Sequence, residues 1–144
     1  MIIWLFGQPC SGKTTLANQI KDFVKRPHLI DGDVFREIFQ NKVYGREGRI
    51  ENIRKATIVA KYMENCGFTV ICSFVTPYKS MRDEILESCK DLKFIYLDYQ
   101  GERGRESFHV EDFDIPNEKE ENFLHLRTSD LTIVDCISKI KSIL

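Results

Sequence analysis

Apolar residues along this chain fall into two arrangements, short continuous runs and longer stretches at helical spacing. Ile2–Phe6 is apolar throughout and stops at a glycine, the pattern of a strand covered on both faces. Leu16, Ile20 and Phe23 then recur at helical intervals, which predicts a helix over about 13–24, with Pro27 just beyond it. A short strand at 28–30 leads into Asp31-Gly32-Asp33, and a short helix over about 34–40 follows. After a polar loop holding Gly45 and Gly48, the face formed by Ile50, Ile53, Ala56, Ala60 and Met63 predicts a helix over 50–66, stopped by Gly67. Thr69–Phe74 reads as a third strand. Thr76-Pro77 is placed to open a helix running to about 90, since proline is tolerated in a first turn. Strands follow at 93–97 and, more weakly, 123–127. Thr132-x-x-Asp135 resembles a capping box ahead of a last helix that reaches Leu144. Only 98–122 shows no clear period.

Strands built from continuous apolar runs, each followed by a helix, imply a parallel sheet with both faces covered. The expected fold is α/β and doubly wound: a three-layer sandwich with a five-stranded, mostly parallel sheet and helices on both faces. The chain has 144 residues and no repeat or linker that would divide it, so 1–144 is read as one domain. With 42% apolar residues it can bury a core. Its 21 Lys and Arg against 22 Asp and Glu leave a net charge of −1, which argues against a protein that coats nucleic acid or an anionic membrane. No run approaches the roughly 18 apolar residues of a membrane span. The apolar start has neither a basic region nor a small-residue cleavage site, so it does not read as a signal peptide. The five cysteines are odd in number and lack Cys-x-x-Cys spacing, so reduced thiols, no zinc site and a cytoplasmic location are expected.

The sharpest chemical signal is Gly7-Gln8-Pro9-Cys10-Ser11-Gly12-Lys13-Thr14, which fits G-x-x-x-x-G-K-[ST] in full. Glycines let such a loop wrap a phosphate chain, successive backbone N–H groups point inward, and the next helix adds its positive dipole end. Gly7, Cys10, Ser11, Gly12, Lys13, Thr14 and Thr15 are the expected nucleotide-binding residues. Lys13 would reach the β- and γ-phosphates, and the Thr14 hydroxyl would be a ligand of Mg²⁺. The flanking strand and helix supply the context the motif needs, so the fold is expected to be of the P-loop NTPase kind, with ATP and Mg²⁺ as cofactors.

A GTPase would need Asn-Lys-x-Asp after this loop. Asn41-Lys42-Val43-Tyr44 lacks the Asp and comes too early, and Asp98 reads as the end of a strand. A small-molecule kinase needs instead a carboxylate near the γ-phosphate and an acceptor pocket. Asp31-Gly32-Asp33 ends the second strand, where strand ends of an open parallel sheet line the active crevice. A carboxylate there would bind Mg²⁺ or take a proton from the acceptor hydroxyl. The bland alternative is a turn whose second Asp caps the next helix. Arg36, Arg46, Arg49 and Arg54 cluster between strand ends, which suggests an anionic acceptor, although any one of them alone would read as a solvated residue. Residues 73–77 would form another wall.

In combination, the phosphate loop, Asp31-Gly32-Asp33-x-x-Arg36, Arg49-x-x-Asn52-Ile53-Arg54 and Ser73-Phe74-Val75-Thr76-Pro77-Tyr78 resemble the adenylylsulfate kinase (APS kinase) family. The resemblance is dense from Ile3 to about Ile85 and resumes at Phe108. It implies transfer of the ATP γ-phosphate to the 3′-hydroxyl of adenosine 5′-phosphosulfate (APS), giving PAPS for sulfate assimilation. By the same resemblance Asp33 is the carboxylate of metal and acceptor chemistry, with Asp31 beside it and Lys13 as a further catalytic group. Metal ligation falls to Thr14 and Asp33. Arg36, Arg49 and Asn52 match residues that hold the substrate, Tyr44 falls where the family has a Phe, and Phe74, Val75 and Thr76 form the neighbouring wall. Phe108 matches the aromatic that stacks on the substrate adenine. Thr76 occupies a position once assigned as a phosphoryl carrier, a step that direct in-line transfer does not require. A homodimer is implied by the resemblance alone.

The departure lies between Asp98 and Phe108, where family members carry a helix and a mobile basic lid. Here a short stretch remains, in which Arg103 and Arg105 would act as a minimal lid, or simply as two solvated arginines. The rival readings are a P-loop kinase for another nucleotide or a polynucleotide end, which a shorter lid would admit, and a nucleotide-binding regulatory module without turnover.

Overall fold

All five apolar runs join one parallel sheet in the computed structural model, which describes residues 1–101, 108–117, 119 and 122–144. The strands are β1 (Ile2–Phe6), β2 (Pro27–Asp31), β3 (Thr69–Phe74), β4 (Leu92–Asp98) and β5 (Leu124–Arg127), in the order β2-β3-β1-β4-β5. Every pairing among them is parallel, so the expected mostly parallel sheet is wholly so among the described residues. The helices are α1 (Lys13–Ile20), α2 (Gly32–Ile38), α3 (Arg46–Asn65), α4 (Lys79–Ser88) and α5 (Ile133–Lys141).

The continuous apolar character of β1 has a direct cause. Successive side chains of a strand point to opposite faces, and both faces are covered. Ile2, Trp4 and Phe6 enter a core with Phe74, Phe94 and the α3 and α4 residues Ile53, Ala56, Met81 and Ile85. Ile3 and Leu5 enter a second core with Leu16, Ala17 and Ile20 of α1 and Cys136 and Ile140 of α5. Trp4 stacks on Phe74 at 5.3 Å between ring centroids, and Phe6 stacks on Tyr96 at 5.0 Å.

Several element boundaries differ from the sequence expectation, α5 ending at Lys141 rather than Leu144 among them, and four have a clear local reason. α1 ends at Ile20 rather than about 24, because Asp22 and Phe23 donate to carbonyls only three residues back and the chain tightens into a turn. Phe23 and Val24 still pack on the second core, which is why they mimic a continuing helical period. α2 begins two residues early, since Asp31 caps it. α3 begins at Arg46, after Gly45, in a polar first turn that apolar spacing does not register. α4 begins at Lys79, because Thr76 has φ 45° and Tyr78 is the N-cap, so Thr76-Pro77 approaches the helix without joining it. The predicted capping box is present: Thr132 accepts from the Asp135 N–H, and Asp135 accepts from the Thr132 N–H, both at 3.1 Å. The carboxyl ends of β1, β2 and β3, with the loops that follow, form one edge of the sheet, and the candidate site lies there.

Candidate active site

The loop after β1 is held in shape by contacts that tolerate little change. A Cβ on Gly7 would strike the Leu97 carbonyl oxygen and come within 2.8 Å of Ser11 Oγ, so the loop can leave β1 this closely only with glycine there. Gly12 sits at φ 98° as the N-cap of α1, a conformation that side chains disfavour. From the far side, the Thr128 hydroxyl donates to the Ser11 carbonyl at 2.9 Å. Lys13 Nζ donates to the Gly7 carbonyl at 3.0 Å and the Gln8 carbonyl at 2.7 Å. Burial lowers the Lys13 pKa to about 8, against the opposing pull of Asp33, Cys10 and Asp31. A lysine that loses hydration in this way gains most from a polyanion that restores its charge.

Asp31 joins the two halves of this region. Its Oδ1 accepts from the N–H groups of Asp33 (3.1 Å) and Val34 (3.4 Å), capping α2, while its Oδ2 accepts from the Thr14 hydroxyl at 3.2 Å. The cap is therefore the first aspartate of Asp-Gly-Asp, not the second. Asp33, relieved of capping, is exposed in the first turn of α2, and its carboxylate accepts no hydrogen bond among the described residues. It is close enough to Lys13 to be the largest charge acting on it. Thr14, Asp31 and Asp33 supply only oxygen ligands, which suits a hard cation such as Mg²⁺ that also takes phosphate oxygens and water. Among the described residues no group of three or more His, Cys, Asp or Glu could hold a metal without such help.

A cleft of about 1210 Å³ runs from this loop to the opposite wall. Of the residues expected in the site, Cys10, Gly12, Lys13, Thr14, Thr15, Asp31, Asp33, Arg36, Tyr44, Arg49, Asn52, Phe74, Val75, Thr76 and Phe108 all line it. Gly7 and Ser11 lie buried beneath. Arg103 and Arg105 lie outside the described residues. Arg36 spends one nitrogen on the 41–43 turn, donating to the Val43 carbonyl at 2.8 Å, and its guanidinium lies 5.0 Å from the Tyr44 ring centre. Arg49 donates to the Tyr78 hydroxyl at 3.1 Å and faces Asp112 at 3.4 Å. Asn52 is 5% exposed; its amide nitrogen donates to the Gly32 carbonyl at 3.4 Å, while its Oδ1 is buried with no partner among the described residues. A buried acceptor left open on a cleft wall is costly without a ligand donor.

Two members of the arginine cluster do not line the cleft. Arg54 forms a two-pronged pair with Glu84 on the exposed surface (3.1 and 2.8 Å), and Arg46 lies over the Tyr78 ring at 3.9 Å. Thr76 lines the cleft, and its hydroxyl accepts from the buried Trp4 indole N–H at 2.9 Å, a structural bond.

Several supporting residues carry no motif. Arg82 is 3% exposed, lies over the Phe6 ring at 5.2 Å, and donates to the carbonyls of Thr76 (3.1 Å), Pro77 (3.0 Å) and Asp114 (2.6 Å). Asp114 in turn accepts from the Lys79 N–H at 2.8 Å. One buried cation thus ties the 76–77 wall to the segment that follows Phe108. Its sequence signal was an arginine on the apolar stripe of α4, beside Met81 and three residues before Ile85. His109 and Val110 also border the cleft, from a stretch without periodicity.

A family model described as adenylylsulphate kinase matches residues 1–105. A probable adenylyl-sulfate kinase of Aeropyrum pernix is 34% identical over 90 residues, covering 59% of this chain and 49% of that protein. The chain thus spans about half the length of that relative. The adenylyl-sulfate kinase of Clostridium kluyveri is 29% identical over 161 aligned positions, covering 97% of this chain and 81% of the relative. That alignment is longer than the chain itself, so the relative carries residues with no counterpart here. Among solved structures, the Mycobacterium tuberculosis APS kinase CysC in complex with AMPPNP and APS superposes with a TM-score of 0.72 at 18% identity, covering 98% of this chain and 95% of that one. At that identity the likeness is one of fold.

Proposed function

The chain belongs to the adenylylsulphate kinase family, and we propose that residues 1–144 act as a P-loop kinase domain that phosphorylates the 3′-hydroxyl of adenosine 5′-phosphosulfate with ATP, giving PAPS and ADP. The observation that carries this reading is the continuity of the cleft. The loop that suits a triphosphate and the wall of Arg36, Arg49, Asn52 and Phe108 that suits a sulfated nucleotide open into the same space.

The residues divide the work by their chemistry. Backbone N–H groups of the loop and the N-terminal end of α1 face the donor phosphates, and Lys13 follows the charge that develops on the transferring group. Thr14, Asp31 and Asp33 would hold Mg²⁺, which would neutralise charge on the donor phosphates. Arg36 and Arg49 have planar forks suited to the acceptor's phosphate and sulfate oxygens. The open Asn52 Oδ1 suits a hydroxyl or amino donor of the acceptor. The rings of Tyr44 and Phe108, both 69% exposed, offer faces to a base. Asp33 is the carboxylate free to take the proton as the acceptor oxygen attacks phosphorus and the bond to ADP breaks.

The test is direct. Purified protein with Mg²⁺-ATP and APS should release PAPS and ADP together, with neither formed when APS is omitted. Asp33→Asn should lower turnover by about 10²–10⁴-fold while nucleotide binding persists. ADP without PAPS would reassign the acceptor, and binding with no product would reject the kinase reading.

A further inference from the structure

We propose that Gln8 is a positioning residue that couples the phosphate loop to the wall carrying Phe108. The proposal rests on the kinase reading above for its functional consequence, but its structural basis is independent of the acceptor. Gln8 occupies a position of the G-x-x-x-x-G-K-T motif that the motif leaves open. Its side-chain amide makes a reciprocal pair with the main chain of Val110, 102 residues away. Nε2 donates to the Val110 carbonyl at 2.8 Å, and Oε1 accepts from the Val110 N–H at 2.9 Å. Both bonds are partly buried, and Val110 itself is 5% exposed within the first core. Only an amide side chain of this length can supply a donor and an acceptor to one residue's backbone as a neighbouring strand would.

The main chain of the same residue belongs to the donor site. The Gln8 carbonyl takes the 2.7 Å bond from Lys13 Nζ. A nucleotide that draws Lys13 onto its phosphates relieves that bond and resets Gln8, and the amide pair carries the adjustment to Val110 and to Phe108 two residues before it. The segment's other hydrogen-bond tethers among the described residues run from Arg49 to Asp112 and from Arg82, Lys79 and Pro77 to Asp114, and none of them starts from the phosphate loop. Among the described residues, Gln8 is therefore the side chain that makes the acceptor wall respond to the state of the donor loop. The consequence is cooperative occupancy: nucleotide on the loop improves acceptor binding, and acceptor binding improves nucleotide affinity by the same factor.

Two measurements on the full chain and on Gln8→Met test this. The first needs no acceptor. Amide exchange of peptides covering 108–113 is followed with and without a non-hydrolysable ATP analogue. The analogue should slow exchange there in the parent protein, whereas Gln8→Met should exchange faster and lose the response. The second is kinetic: Gln8→Met should raise the KM for APS about tenfold, from the loss of two hydrogen bonds, with the ATP dissociation constant held within about twofold. A purely structural defect would move both constants together. Unchanged exchange and unchanged KM, or an ATP constant that rises as far as the KM, would overturn the proposal. If Gln8→Met does not fold, Gln8→Asn, a methylene too short to bridge both groups, carries the same tests. A parent protein that makes no PAPS would refute the acceptor assignment alone, while the exchange measurement would still decide the role of Gln8.

Discussion

Nucleotide affinity should depend on pH through Lys13, and the size of the effect follows from the site. Burial among the loop carbonyls lowers this amine from the ordinary 10.5 to about 8. A bound polyphosphate restores the charged form and so raises the pKa again. Binding above pH 8 must then be accompanied by proton uptake, because the free protein has already released the proton that the complex needs. At pH 7 about nine-tenths of the free protein is charged at Lys13, and at pH 9.5 only about one part in thirty. The dissociation constant for ATP should therefore rise about thirtyfold across that range, nearly all of it above pH 8. Titration calorimetry in two buffers of different ionisation enthalpy measures both quantities at once, and uptake should approach half a proton at pH 8 and a full proton at 9.5. Lys13→Met should bind more weakly and show neither trend. Asp33→Asn removes the carboxylate that most supports the charge, so its onset should move to lower pH. A constant that stays level between pH 7 and 9.5, without proton uptake, would refute the placement of this amine against the phosphates. The sign for folding is the opposite one. The unfolded chain holds the proton to higher pH, so the stability of the unliganded protein should rise between about pH 8 and 10.5.

Arg82→Met should destabilise the fold by about 3–5 kcal/mol, because three carbonyls lose a buried charged donor; urea denaturation measures it, and a loss below about 1 kcal/mol would mean that water replaces the guanidinium. Thr76→Val should cost about 1–3 kcal/mol by leaving the Trp4 indole N–H unpaired, and PAPS formation should survive in the folded variant. Abolished turnover in a stable Thr76→Val protein would instead restore a covalent role for that hydroxyl.

The legible parts of this protein are those whose chemistry is local. The phosphate loop follows from a run of eight residues whose glycines and lysine have few other uses, and the strands follow from apolar continuity, since each is covered on both faces. The capping box at Thr132 and Asp135 needs only residues three apart. Boundaries were less legible where a turn kept the apolar period, as at Phe23 and Val24, or where a helix began with polar residues, as at Arg46. The arginines show the same division. Type and position in the chain placed all four near the acceptor wall, but the choice among them depends on which way each helix face turns. That choice leaves Arg36 and Arg49 on the cleft and pairs Arg54 with Glu84 on the surface.

By itself the sequence determined the fold class, the phosphate loop and the family, because hydrophobic periodicity and a contiguous motif are properties of neighbouring residues. Only the tertiary structure decided which aspartate caps α2 and which stays free, where the Thr76 hydroxyl points, and that Arg82 and Gln8 bind segments up to 102 residues away. Apart from the Asp31 cap, whose N–H partners lie two and three residues on, those contacts are hydrogen bonds between groups separated along the chain, and a polar side chain carries no mark of its distant partner. Its partner is set when packing of the two apolar cores brings the strand ends together and leaves each buried donor and acceptor to be satisfied by what lies beside it.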